Sequence, residues 1–150
     1  DVRVGPAPVD GYRLAASHDK IHAIPVGGLQ RPSLPFFVVV AVYSDGRTMV
    51  HDWADNGWFE ESAVQFLAAL NSLGASIEWL DPYRVVVVGS QRLRGRMVGC
   101  PEDSSIAAAL LVSSLGVLGD VEIQNVGTLA SRFGTLVPRL RALGAQISER

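Results

Sequence analysis

The segments Asn71–Ile77 and Arg141–Ile147 read NSLGASI and RALGAQI, one pattern repeated at an offset of 70 residues. A recurring unit of this size constrains the fold strongly, because each copy must bury its apolar face against a neighbour. Carried backward, the offset pairs Phe66 with Leu136, Leu67 with Val137, Leu70 with Leu140 and Leu73 with Leu143. That i, i+1, i+4, i+7 spacing is the buried stripe of an amphipathic helix, so two equivalent helices are predicted. Gly74 and Gly144 fall where a left-handed residue closes a helix, and Ile77 and Ile147 then open a strand.

Further back, Gly46 and Gly119 each precede an alternating run, Thr48 to Trp53 and Val121 to Val126, that reads as a half-buried strand. Their offset is 73, so the loop after this strand is three residues longer in the first copy. Before these glycines lie Leu34 to Ser44, rich in Val and Phe, and Ser105 to Leu118, rich in Ala and Leu. Local propensity alone makes the first a buried strand and the second a helix; the repeat makes both helices. Asp81-Pro82 is a turn between Ile77–Leu80 and Tyr83–Val88, which predicts a hairpin, and Arg96 to Gly99 leads into the second copy. Pro138 lies inside the second amphipathic stripe and removes a bond to Gly134, so that helix is expected to start late or kink.

The chain therefore divides into residues 29–90 as copy one and 91–150 as copy two, with 1–28 carrying strands of a preceding copy at Tyr12–Ala15 and Ile21–Pro25. Each unit runs helix, strand, helix, then strand or hairpin, an α/β (α+β) arrangement with helices against one face of a sheet. The abrupt start at Asp1 reads as a piece of something longer.

The order of motifs resembles the enolpyruvyl transferase family over Lys20 to Ile147, roughly the last third of a family enzyme. LRG at Leu93–Gly95, EDSSIAAAL at Glu102–Leu110 and LRALGA at Leu140–Ala145 carry the resemblance. It implies tandem βαβαββ-type repeats of an inside-out α/β barrel, three units to a domain. It also implies transfer of enolpyruvate from phosphoenolpyruvate to a hydroxyl of a phosphorylated acceptor. Two branches are similar to this chain, the 3-phosphoshikimate type and the UDP-N-acetylglucosamine type of cell-wall synthesis. The ungapped stretch around Asp103 and the Glu60-Glu61-Ser62 loop favour the first.

Such chemistry needs arginines and lysines to hold phosphate and carboxylate. The resemblance places the family's Gly-Asp-His-Arg-Ile-Ala motif on Glu102 to Ala107, where Asp103, Ile106 and Ala107 match and Ser104 and Ser105 do not, so the phosphoenolpyruvate arginine falls on Ser105. A family aspartate near the reacting hydroxyl falls on Pro32, which can move no proton. A Lys-Glu-Ser/Thr-Asp-Arg motif falls on Phe59 to Ala63, keeping Glu60 and losing both cations. A late cation falls on Ser131, with Arg132 one residue away. The candidates left are Glu60 and Asp103 for catalysis, and Ser104, Ser105 and Arg132 for substrate. A noncatalytic binding or assembly module with a degenerate site is the alternative these losses suggest.

Other signals are weaker. Asp103 with Ser104 and Ser105 is also an N-cap cluster, and Glu60 and Glu61 are first-turn acids suited to a helix dipole. Arg92, Arg94 and Arg96 alternate on one side of a strand, either guarding a solvated edge or holding phosphate or nucleic acid. Trp53, Trp58 and Phe59 crowd the first copy's loop. His18 and His22 lack a third ligand, and the single Cys100 excludes an internal disulfide and a cysteine-cluster metal site, so neither metal nor cofactor is expected.

The net charge of −2 supplies no global field for nucleic acid or acidic membrane, although twelve of the thirteen basic residues are arginine. The longest apolar run, Leu34 to Tyr43, is half the length of a membrane span. A cytoplasmic setting fits the single cysteine. The expected partners are a missing repeat or second domain, or a homo-oligomer.

Overall fold

The structure, a computed structural model, describes residues 2–4, 33–50 and 60–149. The expected strands Tyr12–Ala15 and Ile21–Pro25, His18 and His22, Pro32, and the aromatic group Trp53, Trp58 and Phe59 lie outside the described residues.

Helix α1 (Leu34–Tyr43) is built from the Val-rich segment that local propensity assigns to a strand. The repeat predicts it correctly: Leu34, Val38, Val39 and Val42 are all buried, and this burial outweighs the intrinsic reluctance of β-branched residues to form helix. Pro35 in the first turn fits because its missing N–H has no partner to lose there. Strand β2 (Arg47–Val50) follows, then α2 (Glu60–Ser72), β3 (Ser76–Asp81) and β4 (Arg84–Val88). The expected hairpin is present, its turn held by the Tyr83 amide and the Arg84 guanidinium, both donating to the Asp81 carboxylate. Copy two contains β5 (Met97–Gly99), α3 (Ser104–Ser114), β6 (Val121–Gln124), the short α4 (Leu129–Phe133), α5 (Leu136–Ala142) and β7 (Ile147–Glu149).

The two helix ends named by the repeat close identically. Gly74 and Gly144 have φ of +108° and +96°, and in each copy two amides fold back onto the last turn. Ala75 and Gly74 donate to Leu70 and Asn71; Ala145 and Gly144 donate to Leu140 and Arg141. A side chain then ties helix to strand in both copies. The Asn71 amide bonds the Ile77 backbone at 2.9 Å on both its N–H and C=O, and Arg141 Nε donates to the Ile147 carbonyl at 2.9 Å.

Two sheets result. β2-β4-β3 is antiparallel throughout, with Thr48 opposite Val87 and Val87 opposite Ile77. The other, β5-β6-β1-β7, takes its third strand from β1 (Val2–Val4), with Val121 opposite Val4 and Val4 opposite Ile147. The repeat relates Thr48 to Val121 and Ile77 to Ile147, so both flanking strands put Val4 in the position of Val87. β1 thus occupies in the second sheet the place that β4 holds in the first.

α1 packs on α3, whose residues Ala107, Ala108 and Ala109 are fully buried and let the helices approach closely. The buried hydroxyls of Ser113 and Ser114 donate to carbonyls one turn back, so no polar group is stranded there.

Some expectations need correction. The second amphipathic stripe is only partly buried: Val137 is inside, yet Leu143 is 71% exposed where its counterpart Leu73 is 1% exposed. In copy one the chain beyond β4 returns over the helix end, with the Arg94 amide donating to the Leu73 carbonyl at 2.7 Å; among the described residues nothing covers Leu143 in that way. The helix does start late, with Pro138 in its first turn, as α4 ends at Phe133 and α5 begins at Leu136. β6 ends at Gln124 rather than Val126 because Asn125 turns left-handed (φ 62°) into a 3₁₀ turn, Val126–Thr128. Residues 92–96 form no regular strand beyond the bridge of Arg94 to Leu118, although the alternation survives, with Leu93 buried and the three arginines exposed.

Candidate functional site

β5 and β6 run parallel, so their carboxyl ends open on the same end of the domain. From β5 the chain passes through Pro101 into the N-terminus of α3; from β6 it enters the 3₁₀ turn and α4, which packs against α3. Clefts at the carboxyl ends of parallel strands are the usual ligand positions in α/β folds. The topology therefore opens the α3 N-terminus, with Asp103, Ser104 and Ser105, and the turn after β6 on one end, while Arg132 lies further along the chain in α4.

Asp103 has extended backbone (φ −135°, ψ 122°), and its Oδ1 accepts from the amides of Ser105 at 2.7 Å and Ile106 at 3.0 Å. This is the N-cap reading realised: the carboxylate satisfies the amides that an incoming anion would otherwise use. Ser105 is buried, and Ser104 stands at the helix start with partial exposure. Burial leaves the Ser105 side chain little contact with solvent at this end.

Arg132 is exposed in the last turn of α4, and beside it Ser131 Oγ donates to the Thr128 carbonyl at 2.7 Å. No ion pair joins Arg132 to Asp103 among the described residues. Glu60 is the first residue of α2; its neighbour Glu61 is exposed and accepts from Gln65 one turn on at 3.2 Å. Glu60 belongs to the other copy.

Two residues of this end were not singled out from sequence. Thr128 Oγ1 is buried and has no hydrogen-bond partner among the described residues. Asn125 provides the left-handed turn that re-aims the chain after β6, and an asparagine two residues before a glycine is the signal for it. Cys100, on the same approach to α3, is buried with its Sγ against the Pro101 carbonyl. Burial, with the Asp103 charge adding to it, pushes the thiol up to about 12, so it is no nucleophile.

No family model matches the chain. Curated relatives do: over 127 residues it is 31% identical to the UDP-N-acetylglucosamine 1-carboxyvinyltransferase of Bacteroides thetaiotaomicron, covering 83% of this chain and 28% of that protein. The enolpyruvyl transferases are its family. The 3-phosphoshikimate 1-carboxyvinyltransferase of Synechococcus elongatus is 28% identical over 141 residues, 91% of this chain and 31% of that protein. Among solved structures, the enolpyruvyl transferase NikO from Streptomyces tendae superposes with a TM-score of 0.65 at 26% identity, over 81% of this chain and 27% of that one. The mixed α/β repeat is accordingly the inside-out fold of enolpyruvyl transferases, and the chain spans under a third of the length of the relatives it matches.

Among the described residues no helix is long and apolar enough to cross a membrane.

Proposed function

We propose that the chain is the part of an enolpyruvyl transferase that presents one wall of the transfer site, moving enolpyruvate from phosphoenolpyruvate to a hydroxyl of a phosphorylated acceptor. What supports this reading is that the α3 N-terminus and the turn after β6 open at the carboxyl ends of the parallel β5 and β6, and that α4, which carries Arg132, packs on α3. In it Arg132 holds anionic substrate oxygens, Ser104 donates to them, and Asp103 fixes the helix end. Glu60, from copy one, serves the second edge. Relatives of both the 3-phosphoshikimate and the UDP-N-acetylglucosamine kind support enolpyruvyl transfer equally, so the acceptor is left at that level.

The division into 1–28, 29–90 and 91–150 belongs to the same proposal, as does a cytoplasmic setting. The outer face of α1, where Phe37 is 45% and Val40 50% exposed, and the uncovered Leu143 are the surfaces on which a further repeat or second domain packs.

A second reading, a noncatalytic module with a degenerate site, is favoured by one observation: Ser105 is buried where the family's phosphoenolpyruvate arginine falls. Calorimetric titration with phosphoenolpyruvate, and with 3-phosphoshikimate or UDP-N-acetylglucosamine, separates the two. Saturable binding that disappears in Arg132→Ala supports the transferase site; no heat at millimolar ligand sinks it.

A further inference from the structure

At the opposite end of α3, about 16 Å from Asp103 for a helix of this length, an open hollow of about 400 Å³ lies between the start of copy two and the loop that precedes β6. It is lined by Arg92, Arg94, Gly95, Leu118, Gly119 and Asp120. None of these residues belongs to the transfer site, and the inference does not depend on it.

The floor of the hollow is bare backbone. A Cβ on Gly95 would lie 2.2 Å from the Asp120 carbonyl oxygen and 2.8 Å from its nitrogen, and Gly119 has φ +95°. Leu93 is buried, which throws Arg92 and Arg94 to the same exposed side. Neither guanidinium has an ion pair or hydrogen bond among the described residues, while Asp120, the one carboxylate in the lining, is already engaged by Arg3. Two uncompensated guanidiniums therefore border a cavity with its acid neutralised.

An edge-guarding role does not explain them. Guard charges protect an unpaired strand edge, whereas this segment is bonded on both sides. Gly95 donates to the Leu118 carbonyl at 2.8 Å and Leu118 to the Leu93 carbonyl at 3.1 Å; on the other side Arg94 donates to the Leu73 carbonyl at 2.7 Å.

We propose that this hollow binds a small organic phosphate, with the phosphoryl oxygens shared by Arg92 and Arg94 and the carbon skeleton resting on Leu118, which is 65% exposed. A phosphate monoester has enough terminal oxygens to take a planar fork from each guanidinium, which a single carboxylate does not.

The test titrates the 150-residue chain with glycerol phosphate and with inorganic phosphate, using calorimetry at low salt. One-to-one saturable binding is expected, weakened about tenfold or more in Arg92→Ala/Arg94→Ala. Arg139→Ala, an exposed arginine of α5 outside the hollow, should leave it within about twofold. Arg92→Lys/Arg94→Lys keeps the charge but loses the forks and should fall between the two. Leu118→Ala should weaken glycerol phosphate and not inorganic phosphate. Circular dichroism confirms that each variant is folded. Unchanged affinity in the double alanine variant, heat that never saturates, or displacement by oligonucleotides with affinity rising with their length overturns the proposal.

Discussion

Val4 stands directly opposite Ile147 across the β1–β7 pair, the relation that Val87 has to Ile77 in the first sheet. The second sheet is thus completed by a strand more than a hundred residues away in sequence. Because β1 sits between β6 and β7, it is not an edge that can fray without consequence.

Val4 is fully buried, whereas Arg3 points outward to an exposed pair with Asp120. Val4→Ala should cost about 2 kcal/mol, and Val4→Asp should unfold the sheet by burying an unpaired charge. Arg3→Ala should cost under about 1 kcal/mol. Urea midpoints at constant slope measure the difference, and equal effects at both positions would show that β1 does not hold this place.

The cap on α3 rests on one side chain. Asp103→Ala should destabilise by about 1 kcal/mol, while Asp103→Asn, which can still accept both amides, should cost only a few tenths. If alanine and asparagine behave alike in thermal melts, the carboxylate has another task.

Three glycines should respond differently to alanine. Gly95→Ala meets the backbone of Asp120 at 2.2 Å and should cost more than about 3 kcal/mol. Gly144→Ala meets nothing within 4 Å but must adopt a left-handed backbone, for about 1–2 kcal/mol. Gly127→Ala has open space and no positive φ, so it should be neutral or slightly stabilising. Denaturant unfolding of the three variants ranks them, and any other order contradicts the chain path drawn above.

Alkali should weaken the fold before it ionises the folded protein. Burial pushes Cys100 from its ordinary 9.0 and Tyr43 from 10.0, each to about 12. The folded state therefore keeps protons that the unfolded chain releases. The stabilisation is complete below about pH 9 and is lost as pH rises toward about 12. Cys100→Ala should flatten the stability profile over this window, and an unchanged slope would place the thiol in water.

Much of the local structure was legible because short-range chemistry decides it. The glycine after each stripe, the aspartate before the Ala-rich helix and the Asp81-Pro82 turn need only a few neighbouring residues to act. Helix α1 was legible only through the repeat, because a Val-rich segment becomes helical once burial of Leu34, Val38, Val39 and Val42 outweighs intrinsic preference. The candidate residues Asp103 and Arg132 could each be named from motif order. That the α3 N-terminus and the turn after β6 open on one end follows from the parallel pairing of β5 with β6, which no local pattern expresses.

By itself, then, the sequence determined the repeat, its two helix closures and the family. The tertiary structure alone decided which sheet receives Val2–Val4, since three alternating residues carry no address and pairing is set by which slot lies unfilled. It also decided that Leu73 is covered and Leu143 is not. The two leucines are equivalent in sequence, and burial depends on what comes next along the chain to lie over them.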